Sequence, residues 1–308
     1  MTFGKKKQVS AVKQDTPNVV RFTHTPACIT SIRAQDIVLY GSCLDRLREL
    51  PDKCVRTCVT SPPYWGLRDY GSDGQLGVEP TPELFIRHLV ETFREVRRVL
   101  HDDGTLWVNI GDSYARAPGK GRSGNGKEAV YVGSREATLQ MAHPVPFGLK
   151  PKDLIGIPWM LAFSLRADGW YLRSDIIWNK PNAKPDGVKD RPTAAHEHLF
   201  LLSKNERYYY NAKAIQEPTT DGKRHRNCRN VWVMNTGAYQ GAHLATFPVE
   251  LPSRCVRAAS RVDDVVLDPF AGSGTTLAVA KSLGRHYIGI ELNRKYKPLI
   301  DARLCSNT

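Results

Sequence analysis

The sequence lacks any apolar run of the roughly 18 residues that a membrane-spanning helix needs. No apolar stretch follows the basic residues Lys5–Lys7, as it would in a secretory signal. The seven cysteines include no CxxC pair and no Cys/His ligand spacing, so neither a metal site nor a disulfide framework is predicted. We therefore expect a cytoplasmic protein with no membrane contact and no bound metal.

Acidic residues are scarce relative to basic ones: 31 Asp and Glu stand against 44 Lys and Arg, a formal net charge of +13. The excess lies in residues 1–24, 115–152 and 180–235, and the remainder of the chain is close to neutral. A neutral body with basic attachments indicates a polyanionic partner such as nucleic acid. Composition leaves open the alternative of a soluble basic protein without such a partner.

Short apolar runs rich in β-branched residues alternate with amphipathic helical patterns. This alternation is typical of an α/β domain built on a doubly wound, mostly parallel sheet. Three helices are predicted, at Pro82–Leu100, Asp153–Arg166 and Thr275–Leu283. Seven strands are predicted, at Ile37–Tyr40, Val55–Thr60, Thr105–Ile110, Ser174–Trp178, His198–Leu202, Val265–Asp268 and Tyr287–Glu291.

Three segments depart from the alternation. Residues 1–30 are predicted to form a flexible basic arm. Residues 115–152 are rich in Gly, Ser and basic residues, and a stretch of that length without periodicity predicts a mobile loop. Residues 180–242 are predicted to be an insert, which divides one domain into the halves 31–179 and 243–308.

The predicted strand Val265–Asp268 ends in an acid and is followed by the turn Phe270-Ala271-Gly272-Ser273-Gly274. Glycines at the carboxyl end of such a strand let the backbone approach a ligand closely. Glu291 ends the next strand, 19 residues after Gly272, where a carboxylate can accept hydrogen bonds from ribose hydroxyls. The turn lacks the GxGxxG and GK[ST] patterns of phosphate-binding loops, so a zwitterionic ligand is favoured. Taken alone, the glycines are also compatible with an ordinary strand-to-helix turn.

A second motif, Ser61-Pro62-Pro63-Tyr64, follows the predicted strand Val55–Thr60. The two prolines remove two N–H donors and leave carbonyl acceptors. The Ser61 hydroxyl and the Pro62 carbonyl can accept the two hydrogens of an exocyclic amine, and Tyr64 offers a face on which a base can stack. The alternative is a proline-stiffened turn.

Together these motifs resemble those of known methyltransferases. The glycine turn resembles the FxGxG of S-adenosylmethionine-dependent enzymes, and Ser61–Tyr64 resembles the [DNS]PP[YFW] of exocyclic-amine methyltransferases. With the base motif first, the chain resembles the permuted β-class DNA amino-methyltransferases. The resemblance implies a Rossmann-like fold, catalysis at Ser61, Pro62, Pro63 and Tyr64, and cofactor binding by Asp268, Phe270, Gly272, Gly274, Thr275, Glu291, Phe247 and Pro248.

The Ser form of the motif favours cytosine N4 over adenine N6, although both occur with it. Trp65 and Tyr70 are candidate walls of the base pocket. Ser42 stands where the family often has an Asp, so the contact to the cofactor adenine is unassigned, with Asp45 and Asp36 as nearby candidates.

The resemblance implies double-stranded DNA as partner, with the target base flipped out of the helix. It places target recognition in 180–242, where Arg224, Arg226 and Arg229 are candidates for phosphate or guanine contact. A homodimer and a cognate restriction endonuclease are further partners that the class implies. An RNA methyltransferase and a catalytically silent DNA-binding protein are the competing interpretations.

Overall fold

A computed structural model describes residues 35–67, 71–115, 145–146, 148–237 and 247–306. The predicted arm at 1–30 and most of the predicted loop at 115–152 lie outside these ranges. Among the described residues, no helix has both the length and the apolar character needed to cross a bilayer.

The described residues form ten strands and six α-helices, which alternate except between β4 and β8. The strands are β1 (Ile37–Tyr40), β2 (Val55–Thr60), β3 (Leu100–Ile110), β4 (Tyr171–Asn179), β5 (His196–Ser203), β6 (Glu217–Pro218), β7 (His225–Arg226), β8 (Val231–Val233), β9 (Val265–Asp268) and β10 (His286–Glu291). The helices are α1 (Cys43–Arg48), α2 (Pro82–Val99), α3 (Ile157–Ala167), α4 (Glu250–Ala259), α5 (Thr275–Ser282) and α6 (Lys297–Cys305).

One sheet has the strand order β1-β10-β9-β2-β3-β5-β4-β8, and β6 and β7 form a separate ribbon. Within the large sheet, β5 runs antiparallel to both of its neighbours, and the other pairs are parallel. Helices α1, α2 and α3 cover one face, and α4, α5 and α6 cover the other. The predicted α/β fold with a doubly wound, mostly parallel sheet is confirmed.

The sheet has one strand more than the seven predicted. The additional strand, β8, is only three residues long, too short to show a period in the sequence. It pairs in parallel with β4, and its Trp232 stacks on Trp107 with ring centroids 6.4 Å apart. β5 and β8 both fall between 180 and 242, so part of the range predicted as an insert belongs to the large sheet.

Helix α3 begins later than predicted. Residues 153–155 are extended instead, since Ala115 N–H donates to the Asp153 carbonyl (2.8 Å) and Ile155 N–H donates to Ser113 (3.0 Å). Gly156, with φ +84°, reverses the chain before the helix, and Pro158 occupies its first turn. The pairing of 113–115 with 153–155 brings the two ends of the predicted loop together.

The carboxyl ends of β2 and β9 lie side by side where the chain reverses its progression across the sheet. From β2 the chain passes through α2 to β3 on one side, and from β9 it passes through α5 to β10 on the other. In open α/β sheets, ligands bind in the crevice at such a point.

Candidate active site

The two sequence motifs meet at this crevice. The Thr60 hydroxyl, at the end of β2, donates a hydrogen bond of 2.6 Å to the Asp268 carboxylate at the end of β9. A cavity of about 620 Å³ opens above them. It is lined by ten of the predicted site residues: Ser61, Pro62, Pro63, Tyr64, Phe247, Asp268, Phe270, Gly272, Thr275 and Glu291.

Two predicted cofactor residues, Gly274 and Pro248, do not line the cavity. Gly274 has φ +79° and precedes the first residue of α5. A Cβ at this position would lie 3.3 Å from Ile300 Cγ2, so the glycine serves the turn and the packing of α6. The Pro248 carbonyl accepts from Leu251 N–H over 3.1 Å at the start of α4.

Glu291 lies between the glycine turn and the end of β10. Its carboxylate accepts hydrogen bonds from the backbone N–H groups of Gly272 (2.8 Å) and Asn293 (2.7 Å). Burial raises the pKa of Glu291 to about 7, and these backbone bonds only partly oppose the shift. Carboxylate oxygens have two lone pairs each, so acceptor positions remain for ribose hydroxyls.

Asp268 stabilises the start of the glycine turn. Its carboxylate accepts from Thr60 and from the Phe270 N–H (3.1 Å). Burial raises its pKa to about 6, against the effect of hydrogen bonds from Thr60, Thr276 and Phe270. A cationic ligand in the cavity would favour the ionised form of this carboxyl.

Arg303 of α6 stabilises the glycine turn through hydrogen bonds, and sequence reasoning missed this residue. Its guanidinium donates to the Ser273 hydroxyl over 2.8 Å and also contacts the Thr275 hydroxyl. Its position in the sequence, near the C-terminal end of the chain, gives no sign of this contact.

The base side of the cavity contains a polar cluster around Tyr64. The Tyr64 hydroxyl donates to Glu197 over 2.6 Å, and the Asn109 amide donates to both Tyr64 (3.0 Å) and Glu197 (2.7 Å). The Lys180 ammonium group pairs with the same carboxylate. Of this cluster, the sequence motif identifies only Tyr64.

The loop after the base motif is held by a buried acid. Glu79 accepts from the Gly77 N–H (2.7 Å) and contacts the His88 ring (2.9 Å), while its carbonyl accepts from the Trp65 indole (2.8 Å). Trp65 is buried and does not line the cavity, so its contact is an anchor of the loop. Tyr70 lies outside the described residues.

The residues suggested for the cofactor adenine do not reach the cavity. Asp45 lies in the first turn of α1 with its side chain largely exposed, and Asp36 contacts His286 and Tyr287. In their place, Ser42 and Asn293 line the cavity near Glu291.

The three candidate arginines lie apart from the cavity, and none lines it. Arg226 and Arg229 both donate to Glu217, over 2.9 and 2.6 Å, and Arg224 is exposed. β8 runs parallel to β4 and leads to Thr236 at the cavity, so Arg229, which precedes β8, lies toward the other end of these two strands.

The residues of the cavity suit S-adenosylmethionine. The volume of the cavity, about 620 Å³, lies within the roughly 300–1,000 Å³ usual for cofactor sites. Asp268 and Glu291 supply negative charge for a cationic sulfonium and ammonium group. The turn Phe270–Gly274 contains no lysine or arginine that would bind a phosphate. Phe270, packed edge-on to Phe93 at 6.5 Å, adds an apolar wall.

Comparison with known proteins agrees with this geometry. A family model described as DNA methylase, covering N6 and N4 methyltransferases, matches residues 55–302. The chain is 48% identical to the Type II methyltransferase M.SmaI of Serratia marcescens over 95% of this chain and 99% of that protein. It is 53% identical to M.Cfr9I of Citrobacter freundii over 86% of each chain.

Solved structures show the same fold. The PvuII DNA methyltransferase, named as cytosine-N4-specific, superposes with a TM-score of 0.64 at 20% identity, covering 88% of this chain and 86% of that one. A DNA modification methylase of Thermus thermophilus, solved in complex with S-adenosyl-L-methionine, superposes with a TM-score of 0.58 at 27% identity, covering 87% and 92%.

The chain belongs to the DNA methylase family of N6 and N4 methyltransferases. It is a site-specific DNA amino-methyltransferase, and S-adenosylmethionine is its methyl donor.

Proposed function

We propose that the protein methylates the N4 amine of a cytosine flipped out of double-stranded DNA. The observation that supports this most is the position of Ser61 and Pro62 on the wall of the cavity that Glu291 and Gly272 also line. The Ser form of the motif favours cytosine. The PvuII enzyme, named as cytosine-N4-specific, shares the fold.

In this proposal the residues of the base motif orient the amine. The Ser61 oxygen and the Pro62 carbonyl accept its two hydrogens, which directs the nitrogen lone pair toward the cofactor side of the cavity. When bound, S-adenosylmethionine supplies the sulfonium methyl group. The new N–C bond forms as the S–C bond breaks, sulfur keeps the electron pair, and the amine then loses one proton. Alignment of the two reactants can lower the barrier by about 7–11 kcal/mol.

Target recognition is proposed for the parts of 180–242 outside β5 and β8. This range contains the loop between β4 and β5, whose residues Lys180, Ala183, Lys184 and Ala194 line the cavity. It also contains the β6–β7 ribbon with Arg224, Arg226 and Arg229. Because the relatives are Type II methyltransferases, a cognate restriction endonuclease is proposed as a partner in the cell, and a homodimer as the assembly.

The base is identified by incubating the purified protein with S-adenosylmethionine and unmethylated plasmid DNA, then digesting the DNA to nucleosides for mass spectrometry. N4-methylcytosine is expected. N6-methyladenine would contradict the choice of base and leave the amine chemistry intact. Methylation of added RNA in place of DNA, or cofactor binding without any methylated nucleoside, would contradict the proposed function as a whole.

A further inference from the structure

Lys180 brings a positive charge to the base side of the cavity. It follows β4 directly, and its backbone N–H donates to the Ala195 carbonyl over 2.8 Å, which fixes the start of the loop after the strand. Its side chain is only 15% exposed and lines the cavity. A lysine removed this far from water is uncommon unless its ammonium group has partners, so the partners of Lys180 are informative.

The Lys180 ammonium group is held on two sides. One hydrogen goes to the Glu197 carboxylate, and the centre of the Trp178 ring lies 4.4 Å away in a cation–π contact. Trp178 is itself buried, and its indole N–H donates to the Met234 carbonyl over 2.9 Å. Among the residues that the structure describes, no second acceptor bonds to the ammonium group. Because an ammonium group has three N–H donors, at least one remains for a ligand.

The other polar side chains of this cluster have their hydrogens engaged. A carboxylate only accepts, so the Tyr64 hydroxyl gives its single hydrogen to Glu197 over 2.6 Å. The Asn109 amide donates to Tyr64 (3.0 Å) and to Glu197 (2.7 Å). Lys180 is therefore the member of the cluster that has a donor to offer.

A flipped base is read through hydrogen bonds to its Watson–Crick edge. In cytosine this edge carries the N4 amine, the ring nitrogen N3 and the 2-oxo group, whereas adenine has an amine and a ring nitrogen but no oxo group. Since Ser61 and Pro62 are proposed to accept from the amine, the other end of the cytosine edge requires a donor. The Tyr64 ring offers the stacking face, and Lys180 is joined to the Tyr64 hydroxyl through Glu197, beside the edge of a base stacked there.

We propose that Lys180 Nζ donates a hydrogen bond to the 2-oxo group of the target cytosine and so selects cytosine over adenine. Glu197 and Trp178 position the ammonium group for this contact. The inference rests on the proposed methylation of cytosine N4. It names a specificity-determining residue that belongs to neither the base motif nor the glycine turn.

The experiment measures single-turnover methylation by wild type and Lys180→Met on two duplexes. One carries a mapped target cytosine, and the other carries a 2-aminopyridine C-nucleoside at that position, which keeps the ring nitrogen and the amine but lacks the 2-oxo group. The loss of rate on changing to the analogue is expected to be about 10- to 100-fold greater for wild type than for Lys180→Met, as for a hydrogen bond to a charged group. Differences in the reactivity of the two amines cancel, because both proteins act on the same two bases.

Lys53→Met is the matched control. Lys53 also pairs with a carboxylate, that of Asp102 at 2.7 Å, but it is exposed and does not line the cavity. This variant is expected to show the same loss on the analogue as wild type.

An equal loss on the analogue for wild type and Lys180→Met would overturn the inference, because Lys180 would then contact another part of the DNA. That result with methylated cytosine in the native duplex contradicts the inference alone, whereas methylated adenine there contradicts the proposed function as well. If Lys180→Met does not fold, Lys180→Met combined with Glu197→Gln removes both charges of the pair. The double variant is expected to lack the additional loss on the analogue, and a loss equal to that of wild type would again overturn the inference.

Discussion

The carboxylate of Glu291 accepts a hydrogen bond of 2.8 Å from the backbone N–H of Gly272. This contact joins the end of β10 to the glycine turn after β9, across 19 residues of chain. The Glu291 carboxylate therefore both stabilises the glycine turn and is the acid expected to bind the cofactor ribose. We expect its ionisation to be coupled to cofactor binding.

Cofactor binding is predicted to release protons near neutral pH. Burial raises the pKa of Glu291 to about 7 in the cofactor-free protein, and ribose hydroxyls together with a cationic sulfonium favour the ionised form. Affinity should therefore weaken as the pH falls below about 7. Calorimetry in buffers of different ionisation enthalpy measures the released protons. Glu291→Gln should bind more weakly and lose the dependence on pH near 7; a wild-type affinity that is flat through the neutral range would contradict the prediction.

The cofactor-free protein is predicted to lose stability as the pH rises. Asp268 has a pKa raised from 3.8 to about 6, and Glu291 from 4.5 to about 7, so the folded state binds these protons more tightly than the unfolded state. The stabilisation is complete below the unfolded pKa values and is lost as the pH rises through the folded ones, by roughly 3 kcal/mol for each group. Urea unfolding from mildly acidic to mildly alkaline pH measures this, and Asp268→Asn with Glu291→Gln should flatten the profile. Unfolding midpoints that rise over that interval would refute the assignment.

Gly111→Ala is predicted to impair catalysis without impairing cofactor binding. A Cβ at Gly111 would lie 2.8 Å from Tyr64 Cε2, so the ring must move, and a displacement of about 1 Å can cost about 100-fold in rate. Single-turnover rates and cofactor titrations separate the two effects. Gly187→Ala is the matched control, because a Cβ there meets no atom within 4 Å. Equal rates for the two variants would show that the Tyr64 position is not critical.

Arg224→Gln is predicted to weaken DNA binding and to reduce the slope of log affinity against log salt by about 1, as expected for one phosphate contact. Arg224 is the informative choice because Arg226 and Arg229 share Glu217 as a partner. Binding measured at several salt concentrations gives the slope. Lys213→Gln, on the 3₁₀ turn Ala212–Ile215, is a control of equal charge. An unchanged slope for Arg224→Gln would remove it from the DNA interface.

Local patterns in the sequence predict much of this fold. The strands β2 and β9, the helix α2 and the turn at Gly272 each show their period or their glycines within a few residues. Thr81 accepts from Leu84 N–H at the start of α2, and Pro82 follows it, so even this boundary is readable. These elements position eight of the twelve predicted catalytic and cofactor residues around one cavity, and Glu291 of β10 and Phe247 before α4 line the same cavity.

The remainder depends on contacts between distant segments. Three residues of β8 become a strand only because β4 offers an edge, and residues 153–155 are extended only because 113–115 pair with them. Glu197 reaches Tyr64 through the register of β5 with its two neighbours. No short window of sequence contains this information.

The structure of the protein with S-adenosylhomocysteine and a duplex that it is shown to methylate would test the proposed site most directly. We predict a target cytosine flipped into the cavity, with its N4 amine bonded to the Ser61 oxygen and the Pro62 carbonyl and facing the cofactor sulfur, while Glu291 binds the ribose. A target base that stays stacked in the duplex, or an amine held by groups other than Ser61 and Pro62, would contradict it.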